Sequence, residues 1–172
     1  MRIAVTGTPG TGKSSLARAA ARKLGYSYVD LNKEIISKRL FSSYDRSVKS
    51  FAVDAKKIKV LHKNEDNVVL DSHLSHLLPK LDVIVVLRCD PETLRKRLKR
   101  RGYGKSKIQQ NVEAEYIGLI SWEARRKNKN VFDVDATKRA PAEKILNIIK
   151  TRHKGYRKPI DWIERRKLIN LG

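Results

Sequence analysis

Hydrophobic positions along this chain switch between two periods, and the switches divide it into strands and helices. Ile3, Ala4 and Val5 make an uninterrupted apolar run, as a strand buried on both faces does, and the LARAAARKLG after Ser15 repeats at helical spacing. Tyr26 to Asp30 alternates and reads as a short second strand, with Gly25 ending the helix before it. From Leu31 to Lys63 the spacing turns helical: Leu31, Ile35, Ile36 and Leu40 share one face, FSSYDRS reads as a loop, and Phe51, Ala52, Ala55, Ile58 and Leu61 share another. Asn67 to His73 is a third strand ending in Asp71, and Asp82 to Leu87 is a fourth, apolar throughout. Pro91 and Glu92 open a helix that runs into Gly102, and from Ser106 a longer helical pattern through Ile108, Val112, Tyr116, Leu119 and Ile120 continues to about Lys127. VFDVD is a fifth strand, Pro141 starts a helix through Ile145, Ile148 and Ile149, and Pro159 and Asp161 open a short helix carrying Trp162, Ile163 and Ile169.

This β–α alternation predicts an α/β fold: a doubly wound sheet of five parallel strands, helices on both faces, and a ligand crevice at the carboxyl ends of the strands. At 172 residues the chain makes one domain, 1–172, with small insertions. No apolar run reaches the ~18 residues of a membrane span, and the first strand begins at once, with no signal-peptide architecture, so a soluble cytoplasmic protein is expected. Cys89 is the single cysteine, which excludes an internal disulfide framework.

The chemistry concentrates between the first strand and the first helix. Gly7, Gly12, Lys13 and Ser14 meet the spacing G-x-x-x-x-G-K-[ST] within GTPGTGKSS, the signature of a phosphate-loop (P-loop) NTPase. Gly7, Gly10 and Gly12 permit backbone turns that aim successive N–H groups at one anion; Lys13 follows the β and γ phosphates, Ser14 offers a hydroxyl to Mg²⁺, and Ser15 continues the cradle. The helix starting there points its positive end at the same anion. Asp71, at the end of an apolar strand, is where such enzymes keep the carboxylate that holds Mg²⁺ or its water, and His73 lies on the same side of the extended chain, able to orient a water or nucleophile. His73 and His76 lack the further ligands of a zinc site. Arg97, Arg100, Arg101, Lys105 and Lys107 crowd a helix end beside Gly102 and Gly104, the cations and pivots that a closing lid needs.

Charge adds a partner class. Thirty-nine Lys and Arg against 18 Asp and Glu leave +21, and seven of those cations fall between Thr151 and the end, opposed only by Asp161 and Glu164. Such a field draws RNA or DNA by counterion release; a merely heat-adapted surface, the plainer reading, tends to mix both signs.

With these residues in hand, the chain resembles the adenylate kinase isoenzyme 6 family, ribosome-associated nucleotide kinases and ATPases of archaea and eukaryotic nuclei. The resemblance covers roughly Ile3 to Ala140 and rests on GTPGTGKSS, the strand end DSH, VLRCD at Leu87 to Asp90, and RLKRRGYGKSKIQQNVEAE. In that last run Arg97, Arg101, Gly102, Tyr103, Lys107, Asn111 and Glu115 match the family. The resemblance implies Mg²⁺ and ATP at Gly10 to Ser15, a lid near 100–110 in which Arg101 contacts ATP, an AMP-receiving insertion at about 30–53, and adenine against ATKRAP. It also implies an ATPase activity associated with Asp71 and His73, and a role in small-subunit assembly through a platform ribosomal protein and rRNA processing. Where generic adenylate kinases carry Asp-Gly-Phe-Pro-Arg this chain has DSH, which leaves an acceptor phosphate to other cations such as Arg39 or Arg88. The insertion departs from the family pattern between Leu40 and Ile58, and the basic tail at 151–172 is no family signature. Two alternatives stay open: a nucleotide-switched assembly factor with incidental kinase activity, and a kinase for another small acceptor.

Overall fold

The structure is a computed structural model that describes residues 1–45, 50–138, 140, 142–151 and 158–169. In chain order the elements are β1 (Arg2–Gly7), α1 (Lys13–Leu24), β2 (Ser27–Asp30), α2 (Leu31–Ser37), β3 (Phe41–Asp45), β4 (Ser50–Val53), α3 (Ala55–Ile58) and β5 (Val68–Asp71). They continue with β6 (Val83–Arg88), α4 (Pro91–Arg100), α5 (Lys105–Tyr116), α6 (Leu119–Lys127), β7 (Val131–Asp135), α7 (Ala142–Thr151) and α8 (Trp162–Ile169). Five parallel strands form one sheet in the order β2-β5-β1-β6-β7, with β1 central and buried along its whole length. Val5 registers with Asp71 on one side and Val85 on the other, which puts the carboxyl ends of β1, β5 and β6 at one edge of the sheet.

Because successive strand residues point to opposite faces, the sheet divides the core in two. Ile3, Val5, Val69, Val85 and Leu87 pack against Leu16, Ala17 and Ala20 of α1 and Ile145 and Ile148 of α7. Ala4, Leu70, Ile84 and Val86 pack against Leu31 and Ile35 of α2 and Ala124 of α6. A third cluster, Cys89, Leu94, Leu98, Ile108 and Val112, binds α4 to α5 behind the loop between β1 and α1. The Asp90 side chain accepts from the Thr93 amide at 2.9 Å and Pro91 stands in the first turn, so α4 starts where its backbone donors need an acceptor least. Among the described residues no helix is long and apolar enough to cross a membrane.

Three expectations are corrected. Among the described residues of 31–63 the helices are α2 and α3 alone, and between them β3 and β4 pair antiparallel as a two-stranded hairpin, so FSSYD is strand and not loop. The helical spacing of Phe51, Ala52, Ala55 and Ile58 spans two elements, because Asp54 caps α3 by accepting from the Lys56 amide at 2.9 Å. The long pattern after Ser106 breaks into α5 and α6 at Gly118, whose φ of 68° is left-handed; a Cβ there would stand 3.3 Å from Arg88 Nη1. The start of the helix at Pro141 lies outside the described residues, and α7 is described from Ala142. The tail helix α8 docks on the body: Trp162 is buried, and its Nε1 donates to Glu115 at 3.0 Å.

Gly7 closes β1 with φ 134°, and a Cβ added there would meet the Leu87 carbonyl oxygen at 2.3 Å. Gly7→Ala is therefore expected to cost roughly 3 kcal/mol of stability, from backbone strain plus overpacking. The check is the shift in denaturant midpoint against Gly12→Ala, where a Cβ would find no atom within 4 Å and φ strain alone acts.

Candidate active site

The loop from Thr8 to Gly12 joins the buried end of β1 to α1, and its own carbonyl holds it in shape. Thr8 O accepts from Lys13 Nζ at 3.1 Å, Thr11 Oγ1 at 2.9 Å and the Thr11 amide at 3.3 Å. Below the loop, the Thr8 hydroxyl donates to Glu115 Oε2 at 2.6 Å. α1 begins at Lys13 with no side chain capping it and no acidic residue in its first turn. Its first N–H groups and the positive end of its dipole are thus left to an external anion.

Lys13 is buried, and that burial pulls its pKa down from 10.5 to about 8; Asp71 and Glu115 push it back up while Arg101 lowers it further. An ammonium so poised gains most from a neighbouring anion. A cavity of about 760 Å³ opens on this side, lined among others by Lys13, Ser14, Ser15, His73, Arg101 and Lys107, with Asn32, Ile35, Ile36 and Val53 on its far wall. A second cavity of about 440 Å³ shares Gly10, Gly12, Ser15 and Arg101 with it and runs between α1 and the segment after β7, against Ala19, Ala136 and Ala140. Arg97 borders it and braces that segment, donating to Ala136 O at 3.0 Å and Thr137 O at 2.8 Å. Of ATKRAP, Arg139 and Pro141 lie outside the described residues.

The sequence-predicted residues therefore gather: Gly10, Gly12, Lys13, Ser14, Ser15, His73 and Arg101 share one cleft. Asp71 does not line it. The carboxylate is fully buried at the end of β5, close enough for Lys13 to feel its charge. Asp71 Oδ2 accepts from the Tyr28 hydroxyl at 2.8 Å, while Oδ1 is buried with no hydrogen-bond partner among the described residues. A buried carboxylate oxygen without a donor is costly unless a cation or its water supplies the missing contact, so this donor fits a hard divalent ion such as Mg²⁺. Burial and the Asp71 carboxylate push the Tyr28 phenol up to about 12, so it stays a donor at neutral pH.

His73 is pulled down to about 4, chiefly by burial and then by the Lys13, His76 and Lys107 charges. It is a neutral imidazole at working pH, an acceptor and not a cation. His76 is committed elsewhere: it shares hydrogen bonds of 3.1 Å with Thr6 Oγ1 and with Glu123 Oε2, and burial lowers its pKa. Burial holds the Cys89 thiol up at about 12, which removes it as a nucleophile.

Arg88, considered above for an acceptor phosphate, is ruled out for that role. It is 2 % exposed and its guanidinium is spent on Glu115, Asp133 and the Ile160 carbonyl. Arg39 is exposed at the end of α2 and does not border the cavity. Spacing along the chain assigns no site role to Thr8, Tyr28 or Glu115. Glu115 does carry a signal, since it falls on the same helical face as Ile108 and Val112, where an ionisable group must be paired. Tyr28 carries none beyond alternation, because its partner comes from another strand.

Residues 3–118 match the family model described as AAA domain. A protein of Thermococcus kodakarensis named "Putative adenylate kinase" is 40 % identical over 170 residues, covering 95 % of this chain and 94 % of the relative. One of the same name from Pyrococcus abyssi is 41 % identical over 167 residues, covering 95 % and 92 %. Among solved structures, deoxyadenosine kinase from M. mycoides superposes with a TM-score of 0.60 at 17 % identity, over 89 % of this chain and all of that one, which establishes a shared P-loop kinase fold. The chain thus belongs to the AAA-domain family and to the archaeal group whose members bear the name "Putative adenylate kinase".

Proposed function

We propose that this protein is a nucleoside monophosphate kinase that moves the γ-phosphoryl of MgATP to AMP and hydrolyses ATP when water takes the acceptor's place. The observation that carries the reading is the conjunction of an uncapped α1 N-terminus, a buried lysine at its first position and an orphaned carboxylate oxygen on the adjacent strand. In this reading the adenine lies in the narrower cavity against Ala136 and Ala140, and the triphosphate crosses Gly10 to Ser15. Lys13 leaves the Thr8 carbonyl for the β and γ oxygens, and Arg101, shared by both cavities, meets the transferring group. The Ser14 hydroxyl and Asp71 would hold Mg²⁺, directly or through water, and the ion neutralises charge shared between the β and γ oxygens when bound.

The acceptor enters past Asn32, Ile35, Ile36 and Val53, and among the described residues Lys107 and Arg101 are the Lys or Arg side chains that border the cavity besides Lys13. The segment at 100–110 acts as the lid. His73, neutral and beside the cleft, accepts a hydrogen bond from water and aligns it when AMP is absent. A second reading, favoured by the +21 charge, makes the protein an assembly factor for the small ribosomal subunit whose grip on rRNA or a platform ribosomal protein is set by its nucleotide.

Lys13→Ala should cut both transfer and hydrolysis by about 10²-fold or more, the scale of removing one charge-stabilising donor. His73→Ala should reduce hydrolysis while sparing transfer, and equal losses would contradict its assignment to water. ADP release across a panel of monophosphate and small-alcohol acceptors tests the acceptor class.

Because the Lys13 ammonium titrates near pH 8 in the free protein and nucleotide anions raise its pKa, binding takes up a proton. Between those two values ATP affinity should fall about tenfold per pH unit. Calorimetry in buffers of different ionisation enthalpy reads the uptake directly, and a pH-independent affinity across roughly pH 7.5 to 9.5 would refute it.

For the second reading, rRNA affinity measured against salt concentration should change with ATP. An affinity indifferent to nucleotide leaves the kinase alone.

A further inference from the structure

Glu115 receives the phosphate loop on one oxygen and the chain's C-terminal segment on the other. Its Oε2 takes the Thr8 hydroxyl at 2.6 Å; its Oε1 takes Arg88 Nε at 2.8 Å, Trp162 Nε1 at 3.0 Å and the Cys89 amide at 3.1 Å. Glu115, Arg88 and Asp133 are each 2 % exposed. So little water reaches this network that each member depends on the others for its solvation.

The C-terminal segment is bound into the same set. Arg88 Nη1 donates to the Ile160 carbonyl at 2.8 Å, the Ile160 amide donates to Asp133 Oδ2 at 2.9 Å, and Arg165 both stacks on the Trp162 ring and donates to Asp135 at 2.8 Å. At the other end, the Thr8 residue held by Glu115 is the one whose carbonyl holds Lys13. When Lys13 turns to a triphosphate, that carbonyl loses its ammonium, so among the described residues Thr8 is then held by the two donors of Thr11 and, through its hydroxyl, by Glu115, on which the loop depends more with nucleotide bound than without. The two oxygens of Glu115 are fixed to one carbon, so a shift of Thr8 that turns the carboxylate also moves the acceptor of Trp162.

We infer that Glu115 is a positioning residue that ties the seating of the 158–169 segment to the nucleotide state of the phosphate loop, each favouring the other. The inference rests on the proposed binding of ATP at that loop. It makes the basic tail a lever on the cleft. A partner that grips the segment and lifts Trp162 loosens Thr8, and a bound nucleotide resists being loosened. By reciprocity, the factor by which docking strengthens ATP binding equals the factor by which ATP strengthens docking.

The chain has two tryptophans, and Trp122 is 55 % exposed and outside the hydrogen bonds just described, so Trp122→Phe leaves Trp162 as the sole reporter. In that protein, titration with MgATP should change Trp162 emission saturably, with the midpoint that calorimetry gives for binding. At saturating MgATP, adding Thr8→Val should abolish the emission change, and it should weaken ATP affinity by about the same factor as Trp162→Phe, as loss of a reciprocal coupling requires. Trp162→Phe, which keeps a ring and deletes the N–H, should weaken ATP affinity about five- to tenfold, the lower range of such couplings, and raise KM more than it lowers kcat. ATP binding seen by calorimetry with flat Trp162 emission, or with Trp162→Phe within about twofold of its parent, overturns the inference and leaves the proposed function standing. Absence of any MgATP binding by the parent overturns both.

Discussion

A backbone cradle that turns its amides outward to a polyanion can be held only from behind. Its N–H groups are committed to the ligand, so its shape must come from carbonyls and side chains on the inner side. Thr8 supplies that inner hold, its carbonyl gathering Lys13 and Thr11 and its hydroxyl reaching Glu115. Behind Thr8 stands the centre of the sheet, where Gly7 approaches the Leu87 carbonyl too closely for any side chain. The cleft, the core and the C-terminal segment all meet at this one strand end.

The electrostatics follow from the same arrangement. The protein carries +21, yet three carboxylates lie in its interior: Asp71, Glu115 and Asp133 are almost wholly removed from water. Arg88 balances two of them, and Lys13 sits between Asp71 and Glu115 at a depressed pKa that an anion would restore. A surface charge of this size attracts phosphate from a distance, and the few buried charges decide where it stops.

The hairpin of β3 and β4 shows how local pattern misleads. Phe41–Asp45 and Ser50–Val53 are short segments whose apolar residues also fit a helical period. Their antiparallel pairing settles the matter, and pairing is a non-local event that no spacing within either segment reports. The break between α5 and α6 has the same origin, since Gly118 turns left-handed where the Arg88 guanidinium occupies the space a side chain would need.

Sequence alone determined the α/β alternation, the strand carrying Asp71 and the whole Thr8 to Ser15 loop. Each of these depends on local rules: the apolar run of a doubly buried strand, helical periodicity, and glycine where the backbone must turn back on itself. The place of His73 beside that loop was also legible, because strand order in such a fold brings carboxyl ends together, whereas Arg101 followed from the basic run at a helix end and from the family resemblance. Only tertiary structure could decide that Arg88 belongs to the interior, that Tyr28 completes Asp71, and that Glu115 joins residue 8 to residue 162. Those are pairings of ionisable or polar groups far apart in the chain, and their energy exists only once folding has expelled the water between them.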